Sequence, residues 1–503
     1  MAAPLVIRLH AADNVVVARM DLLPGTEIEP GVAVAQRVPP GHKASTTAIA
    51  RGAPIRKYNQ IIGFATDDLP AGTHVHTHNC VMGDFERDYA FCADSRPTDY
   101  VADPATFQGY RRADGRAATR NYVGIVTTVN CSAATSRMIA SKLAPLLEAY
   151  PNIDGVVPLT HGGGCGMAAS GLEMDVLRRT LAGYTRHPNM AAVVVLGLGC
   201  ETNQIAGLMH AEGLKEGPKL IPMAIQEEGG VAKTVGRAVG FLKEILPEAN
   251  AVRREPIPAG ELILALQCGG SDGYSGISAN PALGAAVDLL VRNGGSAVLS
   301  ETPEIYGAEH LLTRRAASRE VGEKIVERIK WWEDHCARTG GEMNNNPSPG
   351  NKAGGLTTIL EKSLGAVAKG GTTNLVDVYK YAEPITAKGF VYMDSPGYDP
   401  VSATGQVAGG ANVLCFTTGR GSVFGCKPTP SIKLATNTAL YRRMTDDMDI
   451  NCGTIVDGDE SIQESGRAIF DLVLRVASGE KTKSEALGIG DDEFEPWKIG
   501  ATM

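Results

Sequence analysis

The chain has 503 residues, of which 43% are hydrophobic and 21% are charged, and its formal net charge is −8. A chain of this length is too long for one core, so two to four domains are expected. The acidic balance, without any basic run, argues against nucleic acid or an anionic membrane surface as a partner.

The sequence predicts a reducing, cytoplasmic environment. No apolar run approaches the ~18 residues that a membrane span needs, and the first residues lack the pattern of a signal peptide. The ten cysteines form neither a CxxC pair nor a dense framework. Such usage is typical of reduced thiols that are core residues or metal ligands.

Residues 1–95 predict a separate small β domain, or β-clip, because short alternating segments are broken by Gly and Pro. Near its end, alternation along THVHTHN would place His74, His76 and His78 on one face of a strand. Three imidazoles on one face suit a metal or an anionic substrate, with a solvated polar edge as the alternative. Residues 96–110 predict a linker.

From residue 111 onward, apolar strands alternate with helical stretches. The strands are predicted at 122–129, 155–160, 192–198, 219–225, 261–267 and 296–300. This alternation predicts two α/β domains with largely parallel sheets, at 111–255 and 256–503. Further along, residues 431–444 are predicted as a helix and 479–503 as a surface tail. Trp331 and Trp332, on a predicted amphipathic helix, are explained by packing.

Four cysteines lie at or near predicted strand ends: Cys131, Cys165, Cys200 and Cys268. If those strands are neighbours, the thiols could converge on a soft metal or an iron–sulfur cluster. The alternative is four buried core cysteines.

Carboxylates follow the same pattern at three strand ends. Glu201, Asp272 and Glu301 stand where hard divalent ions find oxygen ligands, or where a helix finds its N-terminal cap.

Several other side chains could bind substrate or move a proton. His161, followed by three glycines, is a candidate general base or ligand. Lys352 could hold a carboxylate or take a proton, whereas Lys362 is interpreted as a solvated surface residue. Arg420, between two glycines, suits a bidentate grip on a carboxylate.

A series of motifs in fixed order resembles one known family. It runs AGTHVHTHN, YRRADGRAATRN, GLGCETNQ, CGGSDGYSGISANPALG, ETPEIYGAEHLL, NPSPGNKAGG, EKSLG and TTGRG. Over nearly its whole length the chain therefore resembles the altronate dehydratase/galactarate dehydratase family, and HVHTHN, GCETNQ and IYGAEHLL are closer to the altronate branch. The resemblance implies an N-terminal domain of the SAF type. It also implies removal of water from a sugar acid, giving a 2-keto-3-deoxy acid.

The resemblance also implies a divalent metal, with Fe2+ as the first choice and Mn2+ or Mg2+ as other candidates. A labile iron–sulfur cluster is the alternative cofactor. The partner is a small sugar acid, and a homodimer is expected. The hypothetical site comprises metal ligands Cys131, Cys165, Cys200, Glu201, Cys268 and Glu301; catalytic residues His161, Lys352, Asp272 and His76; and substrate-binding residues Arg420, His74, His78, Ser271 and Asn351.

Two stretches, HGGGCGM and TTGRGSVFG, depart from the family pattern. Because both could line the substrate end of the pocket, galactarate dehydratase and a sulfolactate-type sulfo-lyase remain alternatives. A non-enzymatic protein that binds sugar acids or metal is the rival from another class.

Overall fold

The computed structural model describes residues 4–500 and begins with a domain of short antiparallel strands. Within residues 4–81 there is no helix, because Gly and Pro interrupt every segment. The predicted small β domain is confirmed. Its strands are β1 (Val6–Ile7), β2 (Val15–Ala18), β3 (Glu27–Glu29), β4 (Val32–Ala33), β5 (Lys43–Ser45), β6 (Pro54–Lys57), β7 (Gln60–Ala65), β8 (His74–Val75) and β9 (Cys80–Val81).

The middle part of the chain is an α/β unit with a parallel sheet in the order β13-β12-β14-β15. All eight residues of β14 are buried, as expected for a strand covered on both faces. The elements are β10 (Thr106–Arg111), β11 (Ala117–Ala118), β12 (Tyr122–Thr127), α1 (Ala133–Leu143), β13 (Gly155–Leu159), α2 (Leu172–Thr185), β14 (Met190–Gly197), α3 (Ile205–Ala211), β15 (Leu220–Ala224), α4 (Val231–Ala251) and β16 (Glu255–Pro258).

The remaining residues form a second parallel sheet of seven strands. Its elements are β17 (Ile263–Cys268), α5 (Ala279–Arg292), β18 (Ser296–Leu299), α6 (His310–Thr313), α7 (Arg319–Thr339), α8 (Pro349–Ala353), α9 (Ile359–Val367), β19 (Leu375–Tyr379), β20 (Phe390–Met393), α10 (Asp399–Ala408), β21 (Val413–Thr418), β22 (Ser431–Ala435), α11 (Thr438–Arg443), β23 (Ile450–Asn451), α12 (Gly453–Asp457), α13 (Ile462–Ala477) and α14 (Lys483–Ala486).

The strand order of this sheet is β19-β20-β18-β17-β21-β22-β23. The chain starts at β17, builds outward on one side through β18, and then returns to build the other side from β21. The carboxyl end of β17 is therefore the topological switch point, where open α/β sheets bind their ligands.

Three local predictions differ from the structure. Residues 431–444, predicted as a helix, begin with strand β22, which is buried between β21 and β23. The predicted surface tail contains the buried side chains of Phe494 and Trp497. Strand β10 begins inside the predicted linker and pairs with β11 and β16. Among the described helices, none combines the length and the apolar character that crossing a membrane requires.

Candidate active site

The switch point carries a compact group of ionisable side chains. Cys268 ends β17, and the 3-10 turn Thr302–Ile305 after β18 brings Glu301 and Glu304 beside it. One ligand atom from each of the three lies within 4.8 Å of the others. All three side chains are buried, which makes their charges expensive unless they are paired.

Glu301 is the most unusual member of this group. Its φ of 74° is in the left-handed region, which a non-glycine residue adopts at a cost. Its amide donates to the hydroxyl of Ser395, but within residues 4–500 neither carboxylate oxygen has a hydrogen-bond partner. Burial, followed by repulsion from Glu304, raises the pKa of Glu301 well above its usual range.

Two lysines complete the group from one side. Lys362 on α9 donates to Glu304 at 2.6 Å, and Lys369 donates to the sulfur of Cys268 at 2.9 Å. Burial alone would lower the pKa of each ammonium, but the pKa of Lys362 is raised by Glu304 and that of Lys369 by Cys268. Both lysines are therefore cations held against buried acids.

Asp399 connects this group with the surface. It opens α10 and is only half-buried, and a Cβ placed on Gly269 would lie 2.3 Å from its Oδ2. Burial, followed by the charge of Glu304, raises the pKa of Asp399 to about 7 against the opposing effect of Lys362 and Lys369. A carboxyl group with this pKa suits proton transfer near neutrality.

The N-terminal domain covers the site. Lys43 and Lys57 both contact Glu361 on α9, at 2.8 Å and 3.0 Å, and all three side chains are buried. Burial would raise the pKa of Glu361, but the two lysines lower it. Beneath this contact lies a cavity of only about 10 Å³, whose lining includes Tyr58 and Cys268.

Ser271 and Asp272 line the same small cavity. The Asp272 carboxylate accepts hydrogen bonds from the amide of Tyr274 and from three side chains, those of Ser275, Thr436 and Asn437. Burial nevertheless raises its pKa.

Asn351 fastens the neighbouring loop to this turn. Its side-chain amide donates to the carbonyl of Ser271 at 2.9 Å, and its Oδ1 caps the start of α8 by accepting from Ser348. Lys352, also on α8, is half-buried. Arg420 is exposed, and its backbone amide donates to Gly270 at 2.8 Å, next to this turn.

The predicted histidines form a cluster with a fourth member, His42. Only His74 lies on a strand, since β8 ends at Val75, yet the rings of His74 and His76 stack at 5.6 Å. Burial lowers the pKa of His74 to about 3 and that of His76 to about 4, while His78 is exposed. His42 contacts the carbonyl of Ala353 at 3.3 Å, so the cluster borders α8.

The other predicted residues lie at the edge of the other sheet. Cys131 follows β12, Cys165 follows β13, and Cys200 with Glu201 follows β14. His161 is there too: its Nδ1 accepts from the amide of Gly163, so its Nε2 donates to the carbonyl of Thr127. The four cysteines are thus divided three to one between two sheets.

Comparison with known proteins places the chain in a family. Three family sequence models match: the altronate/galactarate dehydratase SAF domain over 4–83, the D-galactarate dehydratase/altronate hydrolase second domain over 109–250, and the D-galactarate/altronate dehydratase C-terminal domain over 259–502. The chain belongs to the altronate and galactarate dehydratase family. The predicted resemblance is confirmed.

The chain is similar to two dehydratases over almost its whole length and to a sulfo-lyase subunit over about three quarters of it. Altronate dehydratase of Bacillus subtilis is 36% identical over 99% of this chain and 99% of its own length. Galactarate dehydratase (L-threo-forming) of Escherichia coli is 37% identical over 96% of this chain and 95% of its own length. The beta subunit of (2R)-sulfolactate sulfo-lyase from Chromohalobacter salexigens is 33% identical over 76% of this chain and 95% of its own length.

For this dehydratase-family chain, sequence reasoning missed several members of the site. Lys362, interpreted as a solvated surface residue, is only 6% exposed, and that interpretation is wrong. A signal was present, since Lys362 and Lys369 stand two helical turns apart in an otherwise apolar segment. Glu304 is three residues after Glu301 in the same short turn. Nothing in the sequence marked Asp399 or Glu361, because tertiary packing alone brings them into place.

Proposed function

We propose that this protein is a metal-dependent hydro-lyase that removes water from an altronate-like aldonate or an aldarate to give a 2-keto-3-deoxy sugar acid. The reaction takes place at the carboxyl end of β17. The observation that carries the proposal is the buried carboxylate of Glu301, which is held in a strained conformation beside Cys268 and accepts no hydrogen bond from the described residues, while the ammonium of Lys369 lies 3.6 Å away. A strained backbone and a buried carboxylate without hydrogen bonds are typical of functional groups.

The elimination needs a base, an acid and a cationic environment. The C2–H bond breaks and its proton passes to a base, while the C3–O bond breaks and the departing hydroxyl is protonated to water. The resulting enol then takes a proton at C3 and loses the proton of its C2 hydroxyl to become the keto acid. Asp399, with its pKa of about 7, is the proton-transfer group, and Lys362 and Lys369 stabilise the negative charge that develops on the substrate.

The residues at the switch point fit a divalent metal. One thiol and two carboxylates are a mixed sulfur and oxygen donor set, which suits Fe2+ better than Mg2+ and also accommodates Mn2+. Neither carboxylate oxygen of Glu301 accepts a hydrogen bond from the described residues, so both oxygens are available as metal ligands. When bound by Cys268, Glu301 and Glu304, such an ion would polarise the substrate carboxylate and hydroxyl.

The substrate can reach this site only if a covering element moves. A cavity of about 10 Å³ is smaller than a six-carbon acid, which needs space on the scale of a small-molecule pocket, at least ~300 Å³. The N-terminal domain supplies part of the cover through Tyr58. Its histidines, with His76 as a candidate acid and His74 and His78 as substrate contacts, would close over the bound acid. Lys352 and Arg420 remain candidates for gripping its carboxylate.

The test is an assay with altronate, galactarate and sulfolactate, in the presence and absence of Fe2+ and after chelation. Keto-acid formation from a sugar acid that is lost on chelation and restored by Fe2+ supports the proposal. Glu301→Gln should abolish it, and Glu320→Gln, at an exposed position on α7, should not. Turnover that is indifferent to chelation would contradict the metal dependence.

Two related reactions are separated by the same assay. The relatives named altronate dehydratase and galactarate dehydratase are 36% and 37% identical, so sequence identity does not choose between these acids. Release of sulfite from sulfolactate without water loss from a sugar acid would favour the sulfo-lyase alternative, to which 33% identity points. A cytoplasmic location and a homodimer stay predictions.

A further inference from the structure

The edge of the four-stranded sheet carries three thiols that the proposed reaction does not use. All ten cysteines lie among the described residues, none of them is in a disulfide, and only Cys131, Cys165 and Cys200 are exposed. Cysteine is among the most buried residue types, so three exposed cysteines at one place need an explanation. The strands that precede them, β12, β13 and β14, are direct neighbours in the order β13-β12-β14.

Backbone contacts hold the three cysteine-bearing loops together. The amide of Asn130 donates to Gly163 at 3.2 Å, and the amide of Asn203 donates to Gly164 at 2.9 Å. The side chain of Asn203 also donates to the carbonyl of Thr128 at 3.2 Å. Gly164 has a φ of 94°, and a Cβ there would meet the Thr128 oxygen at 2.1 Å. Close packing at this point therefore requires glycine, and each cysteine lies within three residues of such a contact.

Buried polar side chains also form hydrogen bonds that hold these loops in place. The Glu201 carboxylate accepts from the hydroxyl of Thr128 at 2.7 Å and from the amide of Gly199 at 2.6 Å. His161 bridges Thr127 and Gly163 with both of its ring nitrogens. The thiols are thus presented by a preorganised support, as a cofactor site requires.

The spacing of the sulfurs excludes a site in which all three thiolates bind one ion in this arrangement. Among the described residues, the group Cys268, Glu301 and Glu304 alone has three ligand atoms within 4.8 Å of one another. At least one pair of the three sulfurs is therefore further apart than that. A polynuclear cluster attaches its cysteines to different iron atoms and keeps their sulfurs further apart than the ligands of one ion.

A cavity of about 270 Å³ opens beside Cys165. Its lining includes Lys498 and the indole of Trp497, which is 5% exposed and whose N–H has no partner among the described residues. The lining also includes Glu173, so the cavity is of mixed charge. Its volume is close to the lower end of small-molecule pockets, ~300 Å³, so it can hold a small ligand beside a metal centre bound by Cys165.

We propose that Cys131, Cys165 and Cys200 bind a [4Fe–4S] cluster whose fourth iron has no protein ligand and faces this cavity. The cluster is a second centre, separate from the proposed reaction site at β17. It is also independent of the proposed function, since it rests on the other sheet and on thiols that the β17 site does not contain.

The test is anaerobic reconstitution of the full chain with ferrous iron and sulfide, followed by measurement of bound iron, acid-labile sulfide, visible absorption and the EPR spectrum after reduction. The wild-type chain should hold about four iron and four sulfide per cluster. The triple variant Cys131→Ser, Cys165→Ser, Cys200→Ser should lose the sulfide and the spectrum while keeping its melting temperature, because its side chains are exposed.

Two single variants serve as matched controls. Cys92→Ser, at a half-buried thiol, and Cys268→Ser, at the proposed reaction site, should both retain the cluster. Retention of labile sulfide in the triple variant, or its loss in Cys268→Ser, overturns the assignment. Absence of sulfide uptake by the wild-type chain, or uptake of one zinc or iron ion without sulfide, overturns it as well. None of these outcomes depends on catalytic activity, so a failed dehydration assay leaves the result interpretable.

Discussion

The two parallel sheets end in edges of opposite character. At the end of β17 the ionisable groups are buried, paired as lysine with carboxylate or thiol, and enclosed around a cavity of about 10 Å³. At the ends of β12 to β14 the cysteines are exposed and border a cavity of about 270 Å³. The ends of parallel strands therefore carry buried ionisable groups in one sheet and exposed thiols in the other. Enclosure suits proton transfer, because electrostatic interactions are stronger away from water.

The largest effect is expected when the Glu301 carboxyl group at the enclosed edge is replaced. Glu301→Gln keeps the size of the side chain but removes a proposed metal ligand, and turnover should fall by at least ~100-fold, more than for the loss of a group that only supports a ligand. The melting temperature should change little, because the carboxylate accepts no hydrogen bond from the described residues and Lys369, 3.6 Å away, keeps its contact with Cys268. Steady-state kinetics and thermal unfolding check this. A variant with normal turnover would show that the strained Glu301 is only structural.

The second largest effect is expected where the N-terminal domain contacts Glu361 on α9. Glu361→Gln leaves Lys43 and Lys57 buried without their carboxylate, and it should cost about 3–5 kcal/mol of unfolding free energy. Urea unfolding measures this, with Glu342→Gln at an exposed loop position as the matched control.

The ion pairs of Glu361 with Lys43 and Lys57 should also make the free energy of unfolding depend on pH. The pKa of Glu361 in the folded chain lies below its ordinary value of 4.5. Its stabilising contribution is therefore complete above pH 4.5 and is lost as the pH falls toward the lowered pKa. Urea unfolding across that acidic range should show the loss in the wild-type chain and less of it in Glu361→Gln. Equal pH dependence in both would refute the assigned role.

A smaller effect is expected at Asp272. The carboxylate receives four different donors, and Asp272→Asn replaces one of its acceptor oxygens with a donor. Stability should fall by about 1–3 kcal/mol, the cost of buried groups left unpaired. Turnover per folded molecule should fall less than in Glu301→Gln. Asp446→Asn, at an exposed position, is the control. Unchanged stability together with a ~100-fold loss of turnover would instead support the catalytic role predicted for Asp272.

Local patterns predicted all four strands of the first sheet and, in the second, strands β17 and β18, since strands such as β14 are apolar runs bounded by turn residues. The same patterns misassigned residues 431–444 as one helix, because the short strand β22 is followed closely by helix α11. All five residues of β22 are buried, so packing rather than sequence periodicity decides its conformation. Local patterns do not predict which strand ends are neighbours in space. The sequence pattern therefore groups four cysteines, although Cys268 belongs to one sheet and the other three belong to the other. Trp332 shows the same limit. Its indole N–H donates to Asp394, which also accepts from Thr302 beside Glu301, so a residue explained by packing supports the turn of the site.

The central claim is that the sugar acid binds at the enclosed edge. Hydrogen–deuterium exchange of the full chain, with and without a 3-deoxy analogue of the substrate that cannot eliminate water, tests this most directly. The account predicts slower exchange in peptides covering 296–306, 342–355 and 359–370, and in the covering residues 41–45 and 56–60. Protection confined to 128–132, 161–167 and 197–203 would contradict it and would place the substrate beside the three cysteines.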